Sequence, residues 1–126
     1  MNVLLDTCAA LSLAGGTLPR RAAATLREAS EARVSVVTAW EIAIKVAAGK
    51  LRLAVPPLQW FAILLDHHGL REVPLDAETA CAAAALAPLH RDPFDRVIVA
   101  LAQSRSAIVL TSDERIRQYP GVAVHW

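Results

Sequence analysis

The sequence predicts an α/β domain with a parallel sheet and helical crossovers, and three observations lead there. Short apolar runs alternate with longer helical patterns from end to end, which marks repeated strand, helix, strand units rather than separate blocks of each. The helical stretches have legible starts and stops. Four predicted strand-to-helix junctions carry an acid: Asp6 in NVLLDT, Glu41 in VVTAWE, Asp95 in HRDPFD and Asp113 in VLTSDE. In a parallel sheet the carboxyl ends of all strands face one side, so these acids can converge.

Element by element, the strands fall at Val3 to Leu5, Val34 to Val37, Arg71 to Val73, Ile108 to Leu110 and Val122 to Val124. Helical patterns fill the intervals, at Thr7 to Ala14, Pro19 to Glu31, Ala39 to Ala48, Pro57 to His67, Ala77 to Leu86, Pro93 to Ser104 and Asp113 to Gln118. Pro19, Pro57 and Pro93 suit first helical turns because a proline lacks an N–H that would be orphaned there anyway. Gly49 and Gly69 follow helical patterns where a left-handed cap is wanted, and Pro120 with Gly121 ends the last helix. The alanine run Ala82 to Ala85 marks a helix that packs closely on a neighbour. No repeat or linker divides residues 1–126, so one domain is expected.

Composition sets the outer bounds. With 126 residues and 55% hydrophobic content, the chain can bury a substantial core. Thirteen Lys and Arg oppose twelve Asp and Glu, and a net charge of +1 announces no polyanionic partner by itself. Cys8 and Cys81 form no CxxC or Cys/His pattern, so reduced, buried thiols in a cytoplasmic protein are expected rather than a disulfide or zinc site. Met1 leads directly into the first strand without a basic leader, and no apolar run is long enough to span a bilayer.

Each acid has an ordinary use. Asp6 can cap the first helix, Thr38 with Glu41 reads as a capping box, Asp92 can cap the helix opened by Pro93, and Asp95 then lies in its first turn. Thr111 or Ser112 can cap the helix near Asp113. Capping accounts for the positions but not for their repetition, since serine or threonine would serve as well. Glu41 also sits among apolar neighbours, where an uncompensated carboxylate is costly. Carboxylates gathered without matching bases suit a hard divalent cation. Lys45 can pair with Glu41 and Arg96 with Asp92 at helical spacing, or these bases can touch the phosphates of a bound strand.

The segments LLDT, TAWEIAIKVAAGKLRL, HRDPFDRVIVALAQ and LTSDERIRQYPGVAV, in this order, resemble a PIN domain of the VapC toxin type over essentially the whole chain. The resemblance implies a three-layer α/β/α domain with a central parallel sheet of about five strands. It implies an endoribonuclease dependent on Mg²⁺ or Mn²⁺, a cognate VapB-type antitoxin, and self-pairing into a homodimer. Residue by residue, Asp6, Glu41, Asp95 and Asp113 take the places of the family's acids, with Asp92, Thr111 and Ser112 as accessory positions. Asp6 and Asp95 are then expected to hold the main ion, with Asp113 and Glu41 ligating through water or completing a second site.

Arg91, Arg96, Lys45 and Lys50 are candidate contacts to the RNA backbone. Products with 5′ phosphate and 3′ hydroxyl ends are expected, because no motif places a pair of histidines to use the ribose 2′ hydroxyl. His67, His68 and His125 read as surface or structural. His90 stands near the acids, where it could touch substrate or tune Asp92, but ligation of metal by histidine is not expected. Trp60, Phe61, Ile63, Leu64 and Leu65 give one helix more apolar surface than a small sheet requires, which suggests a partner groove.

The rivals are weaker. An aspartate-nucleophile phosphatase would place a second Asp two residues after Asp6, where Cys8 stands, and a receiver domain would place a lysine within Thr111 to Arg115. A nucleotide-binding module needs more than Gly15 and Gly16. A PIN-like scaffold that binds RNA or protein without cleaving it is the non-enzymatic alternative.

Overall fold

The computed structural model describes residues 1–126 and contains a five-stranded, all-parallel sheet in the order β3-β2-β1-β4-β5. Its strands are β1 (Asn2–Leu5), β2 (Glu31–Ser35), β3 (Arg71–Val73), β4 (Ile108–Leu110) and β5 (Ala123–His125). The helices are α1 (Thr7–Ala14), α2 (Arg20–Glu28), α3 (Val36–Ala47), α4 (Pro57–His68), α5 (Ala77–Ala85), α6 (Pro93–Arg105) and α7 (Glu114–Arg117). No helix is long and apolar enough to cross a membrane.

Alternating side chains of β1 separate the two apolar layers. Val3 and Leu5 pack with Ala9, Ala10, Ala22, Phe61 and Leu64 from α1, α2 and α4, whereas Leu4 packs with α6, Ile116 and Tyr119 on the other face. A three-layer α/β/α sandwich follows from that alternation. Helix α6 is buried at six successive positions, Val97 to Ala102, because α5 and α3 cover the side turned away from the sheet. The alanine run supplies this close contact: Ala83 is buried, and small side chains let α5 approach α6.

The order of the strands positions the site. From central β1 the chain builds outward through β2 and β3, then returns to build β4 and β5 on the other side. Leu5 is in register with Val34 on one side and Leu110 on the other, so the carboxyl ends of β1, β2 and β4 are level. The β1/β4 boundary is the topological switch point, where a crevice opens outside the strand ends.

Several local expectations change. Helix α2 ends at Glu28, and Glu31, expected to close that helix, opens β2 instead. Val36 and Val37, read as strand, open α3 instead, because the Ser35 hydroxyl at the end of β2 accepts the Val37 amide at 3.1 Å and caps the helix. The Thr38–Glu41 capping box is therefore absent, and both residues lie inside the helix. The cysteines are free, as expected, but exposed rather than buried: Cys8 is on the outward side of α1 at the crevice, and Cys81 is on the solvent side of α5.

Candidate active site

All four expected acids line one cavity of about 420 Å³ at the switch point, together with Lys45, Ser112 and Cys8. Asp6 follows β1 and caps α1, its Oδ1 accepting the Ala9 amide at 2.8 Å. Asp113 follows β4 and caps α7 by accepting the Arg115 amide at 2.9 Å, a role expected of Thr111 or Ser112. Asp95 lies in the first turn of α6 and Glu41 in the second turn of α3. Asp6, Asp95 and Asp113 lie at helix N-terminal ends, where the backbone dipole favours negative charge, whereas Glu41 lies mid-helix.

Neutral donors hold the acids in place. The Thr111 hydroxyl, buried, donates to Asp6 Oδ2, and its oxygen accepts the Asp113 amide at 3.0 Å, so one side chain ties the two strand-end acids together. Thr7 donates to Glu41 Oε1 at 2.7 Å. Ser112 stands 3.5 Å from the Cys8 sulfur at the cavity wall.

The cations present touch only two of the acids. Lys45 Nζ lies 2.9 Å from Glu41 Oε2, and that hydrogen bond raises the lysine above its ordinary value. Arg115, not singled out from the sequence, approaches Asp113 Oδ1 at 3.3 Å. Asp6 and Asp95 have no lysine or arginine within ion-pair distance.

The electrostatics follow from this uneven supply. Burial raises the Asp6 carboxyl from 3.8 to about 6 against the opposing bonds from Thr111 and Ala9, with Glu41 and Asp113 adding repulsion. Burial, then repulsion from Asp92, raises Asp95 to about 7. At Asp113 burial is outweighed by hydrogen bonds from His90 and from the Arg115 amide and guanidinium, and its carboxyl sits below its ordinary value. Like charges in a dry crevice disfavour ionisation unless a cation joins them.

The donor set fits a hard divalent ion. It is dominated by carboxylate and hydroxyl oxygens, and carboxylate oxygens of Asp95 and Asp113 lie within 4.8 Å of each other and of a His90 ring nitrogen. Burial and repulsion from neighbouring acids make ionisation of Asp6 and Asp95 costly, a cost that a bound cation removes.

Three residues outside the four acids shape the site. Asp92 is a helix cap, its Oδ1 accepting the Phe94 amide at 2.8 Å and the Asp95 amide at 3.3 Å. Arg96 neither pairs with Asp92 nor faces the crevice. Its Nε donates to Ala83 O, Nη1 to Ala87 O and His90 O, and Nη2 to Ala84 O and Leu86 O. All five guanidinium protons are thus used in closing the carboxyl end of α5 and the loop after it. The third is His90, which is buried and places Nε2 2.7 Å from Asp113 Oδ2 and 3.1 Å from Asp95 Oδ2. Its sequence neighbours Arg91 and Asp92 gave no sign of that reach. Arg91 and Lys50 are exposed and free of ion pairs, and the Trp60–Ile63–Leu64 face of α4 opens a shallow apolar hollow of about 190 Å³ with Ala14, His67 and His68.

Comparison with known proteins gives the family and the fold. The PIN domain family model matches residues 3–122. Ribonuclease VapC22 of Mycobacterium tuberculosis is 31% identical over 121 residues, which cover 94% of this chain and 92% of the relative. Among solved structures, VapBC2 from Rickettsia felis bound to a promoter DNA fragment superposes with a TM-score of 0.71 at 14% identity, covering 99% of this chain and 98% of that one. DNA-bound VapBC from Salmonella typhimurium gives 0.67 at 21% identity, covering 99% and 97%. The acids at the strand ends, the parallel sheet in which β1 is central and the match over nearly the full length all lead to one assignment: the chain belongs to the PIN-domain family, in its VapC-type branch.

Proposed function

We infer that this protein is a ribonuclease that hydrolyses RNA phosphodiester bonds as the toxin of a VapBC-type toxin–antitoxin pair, with a divalent ion, Mg²⁺ or Mn²⁺, in the acidic crevice. The observation that carries the reading is the convergence of Asp6, Glu41, Asp95 and Asp113 on one cavity at the switch point, with buried Asp6 and partly buried Asp95 lacking a lysine or arginine partner. The 31% identity to a VapC ribonuclease over most of both chains supports the substrate class.

Asp6 and Asp95 are the proposed direct ligands. Glu41 and Asp113 already have the full positive charges of Lys45 and Arg115 beside them, whereas Asp6 and Asp95 have none, so the first two suit contact through water or a second, substrate-completed site. When bound, the ion would neutralise charge on the phosphate and lower the pKa of an attacking water. Thr111 and Thr7 fix the carboxylates before substrate arrives, which spares reorganisation during the reaction. Lys45, half-exposed beside Glu41, is placed to meet a phosphate oxygen of the bound strand. Cleavage by water in this way leaves 5′ phosphate and 3′ hydroxyl ends.

Purified protein incubated with structured RNAs in Mg²⁺, and again in EDTA, tests the assignment against Asp6→Asn. Cleavage in Mg²⁺ alone, lost in the variant, supports it; binding of RNA by both proteins without cutting by either identifies a scaffold. Finding 2′,3′-cyclic phosphate ends would contradict the water mechanism. A VapB-type antitoxin is the proposed partner, and co-purification with the product of an adjacent reading frame, with loss of cleavage in the complex, is the matching test.

A further inference from the structure

We propose that His90 is a positioning residue for the metal site, acting as a hydrogen-bond donor that sets the Asp113 and Asp95 carboxylates and not as a ligand itself. This rests on the reading that the acidic crevice holds a divalent ion. The imidazole Nδ1 accepts the Asp92 amide at 3.1 Å, which requires a free lone pair on that nitrogen. The ring proton is therefore on Nε2, where it is donated to Asp113 Oδ2 at 2.7 Å beside Asp95 Oδ2 at 3.1 Å. A nitrogen bearing a proton has no lone pair for a cation, so the close spacing of His90, Asp95 and Asp113 is not a three-ligand site.

Every other polar atom of His90 is also fixed. Its amide donates to the Tyr119 hydroxyl at 2.9 Å, and that hydroxyl in turn donates to Ala87 O at 2.8 Å. Its carbonyl accepts from Arg96 Nη1 at 3.0 Å. The ring thus rests on a frame made by Asp92 and Arg96 at the start of α6 and by Tyr119 after α7, and links Asp95 of α6 to Asp113, the cap of α7. Asp95 and Asp113 come from segments with separate caps, and among the contacts of their carboxylates His90 alone reaches both.

Two substitutions separate donation from mere packing. Asn places an acceptor near the position of Nδ1 and can keep the Asp92 amide bond, but cannot reach the acids. Gln places an amide N–H near the position of Nε2. Mn²⁺ binding, measured by calorimetry on the intact protein, is expected to weaken about 10–100-fold in His90→Asn and to stay within about threefold of wild type in His90→Gln, the range typical of outer-shell partners. Thermal melts of both variants check that the fold persists.

Wild-type affinity in His90→Asn, or equal losses in both variants with unchanged melting, would overturn the proposal. If wild type and Asp6→Asn both fail to bind Mn²⁺, the metal reading itself falls and the role of His90 with it. A measurement on unaltered protein decides independently of any variant. In ¹⁵N-labelled wild type the His90 Nε2 proton is expected to remain when Mg²⁺ is added, whereas its loss would make the ring a ligand and refute positioning by donation.

Discussion

Asp6→Asn should make the metal-free protein more stable while abolishing cleavage. The reason lies in the direction of the Asp6 shift. Its carboxyl is raised from 3.8 to about 6 in the folded state, so folding favours the protonated form and ionisation works against the fold. The penalty is small near pH 4 and grows until pH passes the folded value, above which it is constant. At about 1.4 kcal/mol for each tenfold change in proton affinity, a rise from 3.8 to about 6 costs about 3 kcal/mol at pH 8 and about 0.5 kcal/mol at pH 4.

Asparagine removes the charge with little change of shape. Its carbonyl can keep the Ala9 amide, and its NH₂ can donate to the Thr111 oxygen, whose hydroxyl then turns away. For a chain of this size about 3 kcal/mol corresponds to a rise in Tm of roughly 10 °C. Thermal melts in EDTA at pH 8 and pH 4 provide the assay: the variant should melt well above wild type at pH 8 and nearly level with it at pH 4. Adding Mg²⁺ at pH 8 should raise wild type and leave the variant largely unmoved. If Asp6→Asn is no more stable than wild type at pH 8 in EDTA, the buried carboxylate is not the electrostatic burden described here.

The same shifts govern metal affinity. Because Asp6 titrates at about 6 and Asp95 at about 7, protons compete with a cation below those values, and Mg²⁺ affinity by calorimetry should rise roughly 10–30-fold from pH 6 to pH 8; a flat profile would contradict the raised carboxyls. Arg96→Lys removes most of the five bonds to backbone carbonyls and should cost about 2–3 kcal/mol in urea unfolding, because buried acceptors are left unpaired. Ser106 closes α6 in the left-handed region with φ 51°, so Ser106→Gly should raise stability by about 0.5–1 kcal/mol in the same assay.

Much of the fold was legible because each signal was local. Pro57 and Pro93 open α4 and α6 as expected, Gly69 caps α4 with φ 63°, and Asp6 both ends β1 and caps α1. The start of α3 was not legible, since β-branched Val36 and Val37 favour strand and only the capping hydroxyl of Ser35 at the end of β2 turns the chain into a helix. The four acids were legible as a set because a parallel sheet gives strand ends a common side. What Arg96 and His90 do was hidden for a different reason. Both act over a fold of the chain that brings the end of α5, the loop to α6 and the start of α7 together, and neither Ala83 to Ala87 nor Asp113 marks that meeting in its own sequence.

The distribution of partners around the acids argues for where charge must enter. Glu41 and Asp113 already have Lys45 and Arg115 beside them. Asp6 and Asp95 have hydroxyl, amide and imidazole donors but no full positive charge, and they alone are pushed toward neutrality. Were the crevice only a set of helix caps, nothing would favour directing two such carboxyls into one cavity, since serine caps as well without the electrostatic cost. A small, doubly charged ion reverses that cost at both positions together, whereas a lysine could meet only one and would need room for its stem. The fold therefore holds an unfavourable pair of acids in place through Thr111, His90 and two helix N-termini, and the energy withheld from stability is available to bind the cation.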